Sequence, residues 1–399
     1  MWLLLLGTAL GADWLTLGAS EHGRDDEPVH FFGFVQPQFD AIVGGDEVQD
    51  QSLIFNTVNG QGSPSAFSIR RARVALRGSV PKTNQRVSYF FMTEAGEVSL
   101  TRGAPVVFSD MFVTLSAPGV RARVGQGKLP VMEEIVQGVA SSLEFVHFSK
   151  TLTGLMLENR VADGAYVGPA YGFRDVGVQL FEGFQEGRLA GSYALMVSNG
   201  NGLHAADVDA AKDVSARGEV AYVTDGERKS GKREEIKVGA WWLEGTRGVD
   251  DLRYRRMRRG AFLHVEQGFV WSLVEVAQGD GMLEAGRAPP FAGGEVVIAP
   301  EGQGWGAVAS AGVRVDVKDV ILGVKGRYDQ FHRRTETPEA ERVFRTVTGG
   351  IEVSPHPLVR LQANYELRRL GVPSGDEAAL VVADAMGDRI TAQITARIK

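Results

Sequence analysis

The feature that most constrains this chain is a period-two alternation of apolar and polar residues. In residues 359–368 every second residue is apolar, and the residues between them are Arg, Gln, Asn, Glu and Arg. Residues 390–398 repeat the pattern, and residues 320–330 place Leu322 and Val324 against Lys325. Successive side chains of a β-strand point to opposite faces of the sheet. The alternation therefore predicts an all-β protein whose strands each have one apolar and one polar face.

The gaps between the alternating segments are themselves alternately long and short. Long gaps include 42–66 and 370–387, and short gaps include 117–119 and 354–357. A soluble β-sandwich also alternates, but short turns at one end and long loops at the other are typical of membrane barrels. We therefore expect a transmembrane antiparallel β-barrel of about 16 strands, with short periplasmic turns and long outer loops. The predicted strands lie near 31–41, 67–79, 85–95, 106–116, 119–126, 174–184, 190–198, 214–224, 236–243, 258–266, 269–277, 305–315, 320–331, 343–354, 357–369 and 388–398.

Composition excludes several other classes of protein. The 399 residues include no Cys, which excludes a disulfide-stapled scaffold, a thiolate metal site and a cysteine nucleophile. The net charge of −6, without a block rich in Lys and Arg, predicts no affinity for nucleic acid. No G-x-S-x-G or H-E-x-x-H motif occurs, and Gly226–Arg233 lacks the Ser or Thr of a phosphate-binding loop. We expect no catalytic residue, no cofactor and no metal site.

The first residues have the character of an export signal. Leu3–Leu6 and Ala9–Ala12 are apolar and small residues follow, although no basic residue precedes them and Asp13 interrupts the run. We expect residues 1–20 to be a signal peptide and residues 21–399 to form the barrel.

The segment 127–173 is the longest predicted connection. About sixteen strands enclose an aqueous channel, so a long apolar loop has room to fold inward. We expect 127–173 to be an inward-folded constriction loop. Its apolar residues include Leu143, Phe145, Phe148, Leu152, Leu155 and Met156.

Basic residues recur at one parity in two of the predicted strands. Arg forms paired hydrogen bonds to oxyanions, and rings of Arg or Lys favour anions in pores. The alternative is that these cations pair with acidic residues such as Glu94, Asp110 and Asp175 and only keep the wall polar. The predicted selectivity surface comprises Arg71, Arg73, Arg77, Arg121, Arg123 and Lys128.

Aromatic residues lie near predicted strand ends or on apolar parities, among them Phe31, Phe34, Phe331 and Tyr365. Porin-type barrels have aromatic girdles at both membrane interfaces. We interpret these residues as such a girdle.

Several stretches together resemble the phosphate-selective porin O and P family of bacterial outer membranes. They are FGFVQPQFD from Phe32, FSIRRARVALRG from Phe67, RVGQGKLPV from Arg123 and TGGIEVSPHPLVRLQANYELRR from Thr348. The resemblance implies a sixteen-stranded barrel in the outer membrane, often trimeric, that passes small anions by passive diffusion, with phosphate or polyphosphate among them. The lipid bilayer and lipopolysaccharide would surround it. Lysines mark phosphate selectivity in that family, and the predicted constriction loop offers only Lys128 and Lys150.

The main expectation is thus an outer-membrane diffusion porin that prefers anions. Three alternatives stay open: a non-selective general porin, a barrel plugged by its long loop with a structural or binding role, and a barrel-borne enzyme. Conductance separates the first two from each other, and hydrolase turnover would indicate the third.

Overall fold

The computed structural model describes most of the chain as one closed β-barrel. The described residues are 29–45, 56, 58, 63–84, 86–96, 106–137, 143–157, 161–162, 165–166, 173–203, 210–227, 233–249, 252–282 and 302–398. The expected signal peptide, residues 1–20, lies outside them. Within this part of the chain no helix has the length and apolar content to cross a membrane.

Sixteen strands form the barrel, and two short strands form a separate sheet. Each barrel strand pairs antiparallel with the next, β5 pairs with β8, and β18 pairs with β1 to close the ring. The prediction of a sixteen-stranded antiparallel barrel is confirmed. The strands are β1 (His30–Val43), β2 (Ser65–Ser79), β3 (Val87–Glu94), β4 (Val107–Ala117), β5 (Val120–Lys128), β6 (Val161–Ala162), β7 (Ala165–Tyr166), β8 (Arg174–Glu186), β9 (Leu189–Ser198), β10 (Asp213–Glu227), β11 (Arg233–Val249), β12 (Leu252–Gln267), β13 (Val270–Met282), β14 (Gly302–Val317), β15 (Val320–Arg333), β16 (Arg342–His356), β17 (Val359–Gly371) and β18 (Asp388–Ile398). The helices are α1 (Glu133–Val136), α2 (Lys150–Met156) and α3 (Glu377–Asp384).

One predicted gap is wrong. Residues 244–257 were expected to connect two strands, but β11 runs to Val249 and β12 starts at Leu252. The two strands stay paired through this stretch, with Thr246 opposite Arg255. Charged residues on both parities hide the period-two pattern there, although the backbone pairing continues.

The outward-facing side chains are apolar and exposed, whereas the inward-facing side chains are polar and buried. In β15, Leu322 and Val324 are 40% and 61% exposed, while Lys325, Arg327 and Asp329 are buried. The same alternation runs through β17 and β18. In β14 burial alternates as well, but the buried positions hold mostly Gly. An apolar outer band around a polar interior is the surface of a barrel that is solvated by lipid.

The aromatic girdle is only partly as predicted. Phe31 and Tyr365 face outward and are about half exposed, at 51% and 42%. Phe34 and Phe331 are buried and face inward instead. Phe34 shares its parity with Gln36 of β1, and Phe331 shares its parity with Asp329, so both belong to the polar, inward-facing set.

The apolar core of the molecule lies inside the barrel. The segment between β5 and β8 contributes the fully buried residues Leu152, Leu155 and Met156, which join one cluster with Trp241 and Phe331 of the wall. Helix α2 contacts β13, β14, β15 and β16. Ser149 begins this helix as its N-cap, accepting a hydrogen bond from the Leu152 amide at 3.1 Å.

Candidate functional site

The predicted selectivity residues lie in one sector of the barrel, on β2 and β5. Arg71, Arg73 and Arg123 are buried, with 3%, 5% and 3% of their surface exposed. Lys128, at the end of β5, is close enough to Arg71 and Arg73 for their charges to act on its ammonium. The structure thus brings the two predicted groups of cations to one side of the interior.

Several of these cations have acidic partners. The Arg73 Nε lies 2.5 Å from Glu94 Oε2, and the Arg121 Nη2 lies 2.8 Å from Glu182 Oε1. The carboxylate of Asp110 lies 3.1 Å from the Arg174 guanidinium. Arg174 is an inward-facing cation that the sequence did not predict. The alternative of wall-forming ion pairs therefore applies to Arg73 and Arg121.

Two other arginines donate to neutral amides. Arg71 Nη1 donates to Gln36 Oε1 at 3.1 Å, and Arg123 Nη1 donates to Gln179 Oε1 at 3.2 Å. An amide oxygen satisfies the donor without cancelling the charge. Asp175, which was proposed as a partner, accepts hydrogen bonds from the backbone amide of Gly200 and of its own neighbour in β8.

The guanidinium groups of the two β5 arginines lie against phenyl rings. The Arg123 guanidinium lies 4.2 Å from the ring centre of Phe112 and 4.6 Å from that of Phe181. Arg121 also lies over Phe181, at 4.7 Å. Such contacts contribute roughly 0.5–2 kcal/mol each and fix the plane of the guanidinium. Phe112 and Phe181 come from β4 and β8, the strands on either side of β5. Only the pairing of these strands shows that the two rings enclose the Arg123 guanidinium.

Glu133 of α1 anchors the inner segment, which we define as the residues between β5 and β8, to the wall at β10, β11 and β13. Its carboxylate forms ion pairs with Arg217 of β10 and with Lys237 of β11, the latter at 2.8 Å. Its backbone amide donates to Glu275 Oε1 of β13 at 3.0 Å. Burial alone would raise the pKa of Glu133, but the charges of Lys237 and Arg217 outweigh it and lower the pKa to about 2.

Glu144 and His147 attach the part of the inner segment between α1 and α2 to the wall. Glu144 pairs with Arg314 of β14, and the Leu143 carbonyl accepts a hydrogen bond from Arg360 Nη1 at 2.8 Å. The His147 Nε2 lies 3.0 Å from Asp40 Oδ1 of β1. Burial, with the nearby charge of Arg389, lowers the pKa of His147 to about 4, against the opposing hydrogen bond to Asp40. The ring is therefore neutral at pH 7.

The inner segment also reaches the arginine sector. The Lys128 ammonium donates to the Ile135 carbonyl at 2.8 Å, and the Arg71 guanidinium lies 5.8 Å from the ring centre of Phe148. Contacts from this one segment extend to β1, β2, β10, β11 and β13–β18.

A second group of cations lines a cavity that the sequence reading did not predict. The cavity has a volume of about 370 Å³ and lies between the inner segment and β15–β18. Seven basic and two acidic residues lie along it, but Arg345 and Arg369 are exposed on the outward-facing parity of β16 and β17. The remaining five basic residues still outnumber the two acidic ones, so its local charge is positive although the whole chain is acidic. The basic residues are Arg70, Lys150, Arg327, Arg345, Arg368, Arg369 and Arg389, and the acidic residues are Asp329 and Glu366.

Lys150 is the cation that the inner segment presents to this cavity. Its backbone amide donates to Asp329 Oδ1 at 2.8 Å, and its ammonium lies 4.3 Å from the ring centre of Phe344. Burial, together with the nearby charge of Arg333, lowers the pKa of Lys150 to about 8. The side chain is charged at pH 7.

Within the described part of the chain no three His, Asp or Glu side chains are placed to hold a metal ion. Most of the run Gly226–Arg233, which imitates a phosphate-binding loop in sequence, lies outside the described residues.

The barrel has the fold of bacterial outer-membrane porins. No family model matches the chain, and no curated protein matches it, so the resemblance to the phosphate-selective porin O and P family stays a prediction. Solved structures do match. An anion-selective porin from Comamonas acidovorans superimposes with a TM-score of 0.60 at 12% identity, covering 93% of this chain and 99% of that one.

Two further solved structures are similar over their whole length. OmpF of Salmonella typhi, in complex with daunomycin, has a TM-score of 0.60 at 14% identity, covering 95% of this chain and 100% of that one. OmpT of Vibrio cholerae, an outer-membrane protein in its trimer form, has a TM-score of 0.51 at 9% identity, covering 93% and 99%. At these identities the likeness shows the fold.

Proposed function

We propose that this protein is a porin of the bacterial outer membrane that passes small anions by passive diffusion. The route runs between the segment 127–173, which acts as the constriction, and the sector of β2, β5 and β8. Residues 1–20 serve as the export signal, the barrel assembles as a homotrimer among lipid and lipopolysaccharide, and no catalysis or cofactor is involved. Phosphate and polyphosphate are candidate solutes.

The observation that carries the proposal is the excess of cations in this sector. The basic side chains Arg71, Arg73, Arg77, Arg121, Arg123, Lys128 and Arg174 outnumber the acids Glu94, Asp110, Asp175 and Glu182, although the whole chain has a net charge of −6. The field inside a low-dielectric pore depends on the charges that line it rather than on net charge. The similarity in fold to an anion-selective porin agrees with the proposal.

The test is the reversal potential in a planar bilayer under a KCl gradient. The wild type is expected to show the sign of anion preference, and the triple variant Arg71→Gln, Arg73→Gln, Arg77→Gln is expected to lose most of it. The matched control is Arg253→Gln, Arg255→Gln, Arg259→Gln, which removes the same charge from exposed, outward-facing positions of β12. Equal selectivity in all three proteins would show that the inward arginines only support the wall.

A barrel plugged by its inner segment is the second candidate, and the burial of the arginines favours it. Arg71, Arg73 and Arg123 are only 3–5% exposed, less than expected for side chains that line a wide aqueous channel. Correct insertion with conductance near zero would support the plug. Conductance without ion preference would indicate a general porin.

A further inference from the structure

Two arginines lie side by side on the outer surface of the barrel. Arg345 of β16 and Arg369 of β17 are register partners, and both are exposed on the outward-facing parity of their strands. Side chains directly opposite each other on antiparallel strands have Cβ atoms about 4.5–5.5 Å apart, and like charges at such positions are destabilising. The pair therefore needs anions close to both guanidinium groups.

The described part of the chain supplies a carboxylate to one arginine of the pair. The Arg369 Nη1 donates to Asp388 Oδ1 of β18 at 2.8 Å, and Asp388 Oδ2 accepts from the Tyr365 hydroxyl at 3.0 Å. Within the described residues, Arg345 has no carboxylate within ion-pair distance. One positive charge is thus left without a counter-charge on the outer surface.

The pair lies at the edge of the apolar band, at the end of the barrel that carries the long loops. Arg345 lies near the start of β16, and Arg369 lies near the end of β17. Two residues further into the band on the same strands, Val347 and Leu367 are 47% and 40% exposed. A charge on the lipid-facing surface costs much less at this edge than at the middle of the membrane.

The Arg345 guanidinium extends towards the loop end of β17. A Cβ at Gly371 would lie 3.5 Å from Arg345 Nη1. Gly371 is the last residue of β17 and shares the outward-facing parity of Arg369. The glycine therefore leaves room for the guanidinium beyond the apolar band.

Aromatic residues with polar groups mark the same level on the neighbouring strands. Trp305 of β14 and His332 of β15 are register partners whose ring centres lie 4.2 Å apart. Tyr328 and Tyr365 are 43% and 42% exposed, and each hydroxyl has a hydrogen-bond acceptor. Trp and Tyr are enriched where a membrane protein meets the lipid headgroups. The arginine pair therefore lies in the headgroup layer.

We infer that Arg345 and Arg369 bind a phosphate group of the lipopolysaccharide of the outer leaflet. The phosphate accepts hydrogen bonds from both guanidinium groups, whose planar forks suit phosphate oxygens, and it supplies the counter-charge that Arg345 lacks. The acyl chains lie against Val347 and Leu367. A phosphorylated glycolipid is favoured over a phospholipid because the long loops of such barrels face the outside, where lipopolysaccharide forms the leaflet.

Native mass spectrometry of the full-length protein in detergent tests the site, because it counts bound lipids and subunits together. The probes are diphosphorylated lipid A, lipid A without phosphate, and phosphatidylglycerol. Diphosphorylated lipid A is expected to bind saturably and at least about tenfold more tightly than either of the others. Equal binding of lipid A without phosphate would overturn the phosphate contact, and equal binding of phosphatidylglycerol would overturn the choice of a glycolipid.

Variants locate the binding. Arg345→Gln combined with Arg369→Gln is expected to weaken the tightest binding of lipid A by at least about tenfold, since each change removes a charged donor. The matched control is Lys82→Gln combined with Arg86→Gln, which removes the same charge from exposed positions between β2 and β3, at the opposite end of the barrel. Unaltered binding in the first variant would refute the site. A changed number of subunits with unchanged lipid would assign the pair to a contact between copies of the chain.

Thermal unfolding separates lost binding from lost folding. Without lipid A, Arg345→Gln is expected to unfold at the same temperature as the wild type or at a higher one, because the repulsion between the two arginines is removed. With saturating lipid A, the wild type is expected to gain more stability than the variant, because a ligand stabilises the state that binds it. A variant that is less stable without lipid A, with an equal gain on adding it, would show that Arg345 only supports the wall.

The inference rests on the outer-membrane location of the proposed porin and not on its ion selectivity. A protein that binds lipid A through Arg345 but shows no anion preference would retain this surface and lose the proposed channel function. An anion-selective protein without saturable binding of lipid A would retain the channel and lose the surface.

Discussion

Glu133 is one carboxylate that sits between two cations in a fully buried place. Removing a carboxylate from water costs several kcal/mol, and only close pairing offsets it. The pairing here is with Arg217 and Lys237, on two different strands of the wall. The charge therefore specifies where α1 sits on the wall more than it adds net stability, because the same contact also leaves two buried cations dependent on it.

The substitution Glu133→Gln is expected to release the inner segment. It takes the carboxylate of the inner segment away from Arg217 and Lys237, which keep only Glu219 and Glu235 of the wall. Breaking such a buried pairing costs about 3–5 kcal/mol. Tryptic cleavage after Lys150, followed by mass spectrometry, is then expected to become at least about a hundredfold faster, because cleavage tracks the open population. Glu244→Gln is the matched control: its partner Arg255 is 64% exposed, so the change should stay within about 0.5 kcal/mol. Equal rates in both variants would show that the ion pairs do not hold the segment.

His147 makes the attachment of the segment sensitive to acid. Its pKa is lowered from 6.5 to about 4 in the folded state by burial and by Arg389, despite the contact with Asp40. The released state thus binds more protons between pH 6.5 and 4, so attachment weakens as the pH falls through that window. The Glu366 carboxylate also acts on this ring, and Arg327 donates a hydrogen bond to the His147 backbone carbonyl at 2.9 Å.

The chain has no Cys, so a single dye can report this change. A polarity-sensitive dye on Thr153→Cys is expected to change its emission between pH 6.5 and 4 in the wild-type background. The response is expected to disappear with His147→Gln and to persist with His356→Gln, an exposed histidine at the end of β16. A response that survives His147→Gln would place the sensor elsewhere.

At the scale of the element, α2 is packed so closely against the wall that a larger side chain at Gly154 would clash. A Cβ at Gly154 would lie 2.4 Å from Cε1 of Phe331, whose ring is buried. Ala in place of Gly favours a helix by about 1 kcal/mol, but overpacking costs about 1–3 kcal/mol, so the clash is expected to win.

Gly154→Ala is therefore expected to move α2 away from β15 and to speed cleavage after Lys150. Gly349→Ala is the control, because a Cβ there meets nothing within 4 Å. Slower cleavage after Lys150 in Gly154→Ala would mean that the Phe331 ring moves aside and that the gain in helix propensity outweighs the clash.

The strands were largely predictable from the sequence, because each strand of a membrane barrel has one apolar face that contacts lipid. That rule located β15, β17 and β18 directly from parity. It fails where a strand rises past the lipid, as in β11 and β12, since Arg253, Arg255 and Glu244 there break the apolar face while the backbone pairing continues. It also fails for Phe34 and Phe331, because an aromatic residue on the polar parity packs inward against the inner segment or an arginine.

The arginines of the predicted site could be found by parity, but their partners could not. Arg71 and Arg73 alternate within one strand, so a single stretch of sequence exposes them. The cavity assembles Lys150, Arg327 and Arg389 from three elements remote in sequence, and no local pattern connects them. Only the order of strands around the ring brings those residues together.

At the scale of the whole molecule, cations are concentrated in parts of the interior although the chain as a whole is acidic. The chain carries a net charge of −6, yet cations exceed acids in the sector of β2, β5 and β8 and in the cavity. Fixed charges act on an ion in solution only within the screening length, which shortens as the salt concentration rises. The ionic strength should therefore decide how strongly the interior selects.

The ratio of anion to cation permeability is expected to fall as KCl is raised from 0.1 M to 1 M, because the screening length drops from about 10 Å to about 3 Å. Reversal potentials at constant gradient measure it. The triple variant Arg71→Gln, Arg73→Gln, Arg77→Gln is expected to respond less to salt. A ratio independent of salt would attribute selection to size or to tight binding.

The pairing of Lys128 with Arg174 has a consequence for how such a protein can change. The strand β5 ends at Lys128 and the strand β8 begins at its partner Arg174, so the ring closes at that point whatever lies between the two residues. The strand register is thus independent of the length of the inner segment. Insertions, deletions or replacements between Lys128 and Arg174 are expected to leave the register of every strand unchanged.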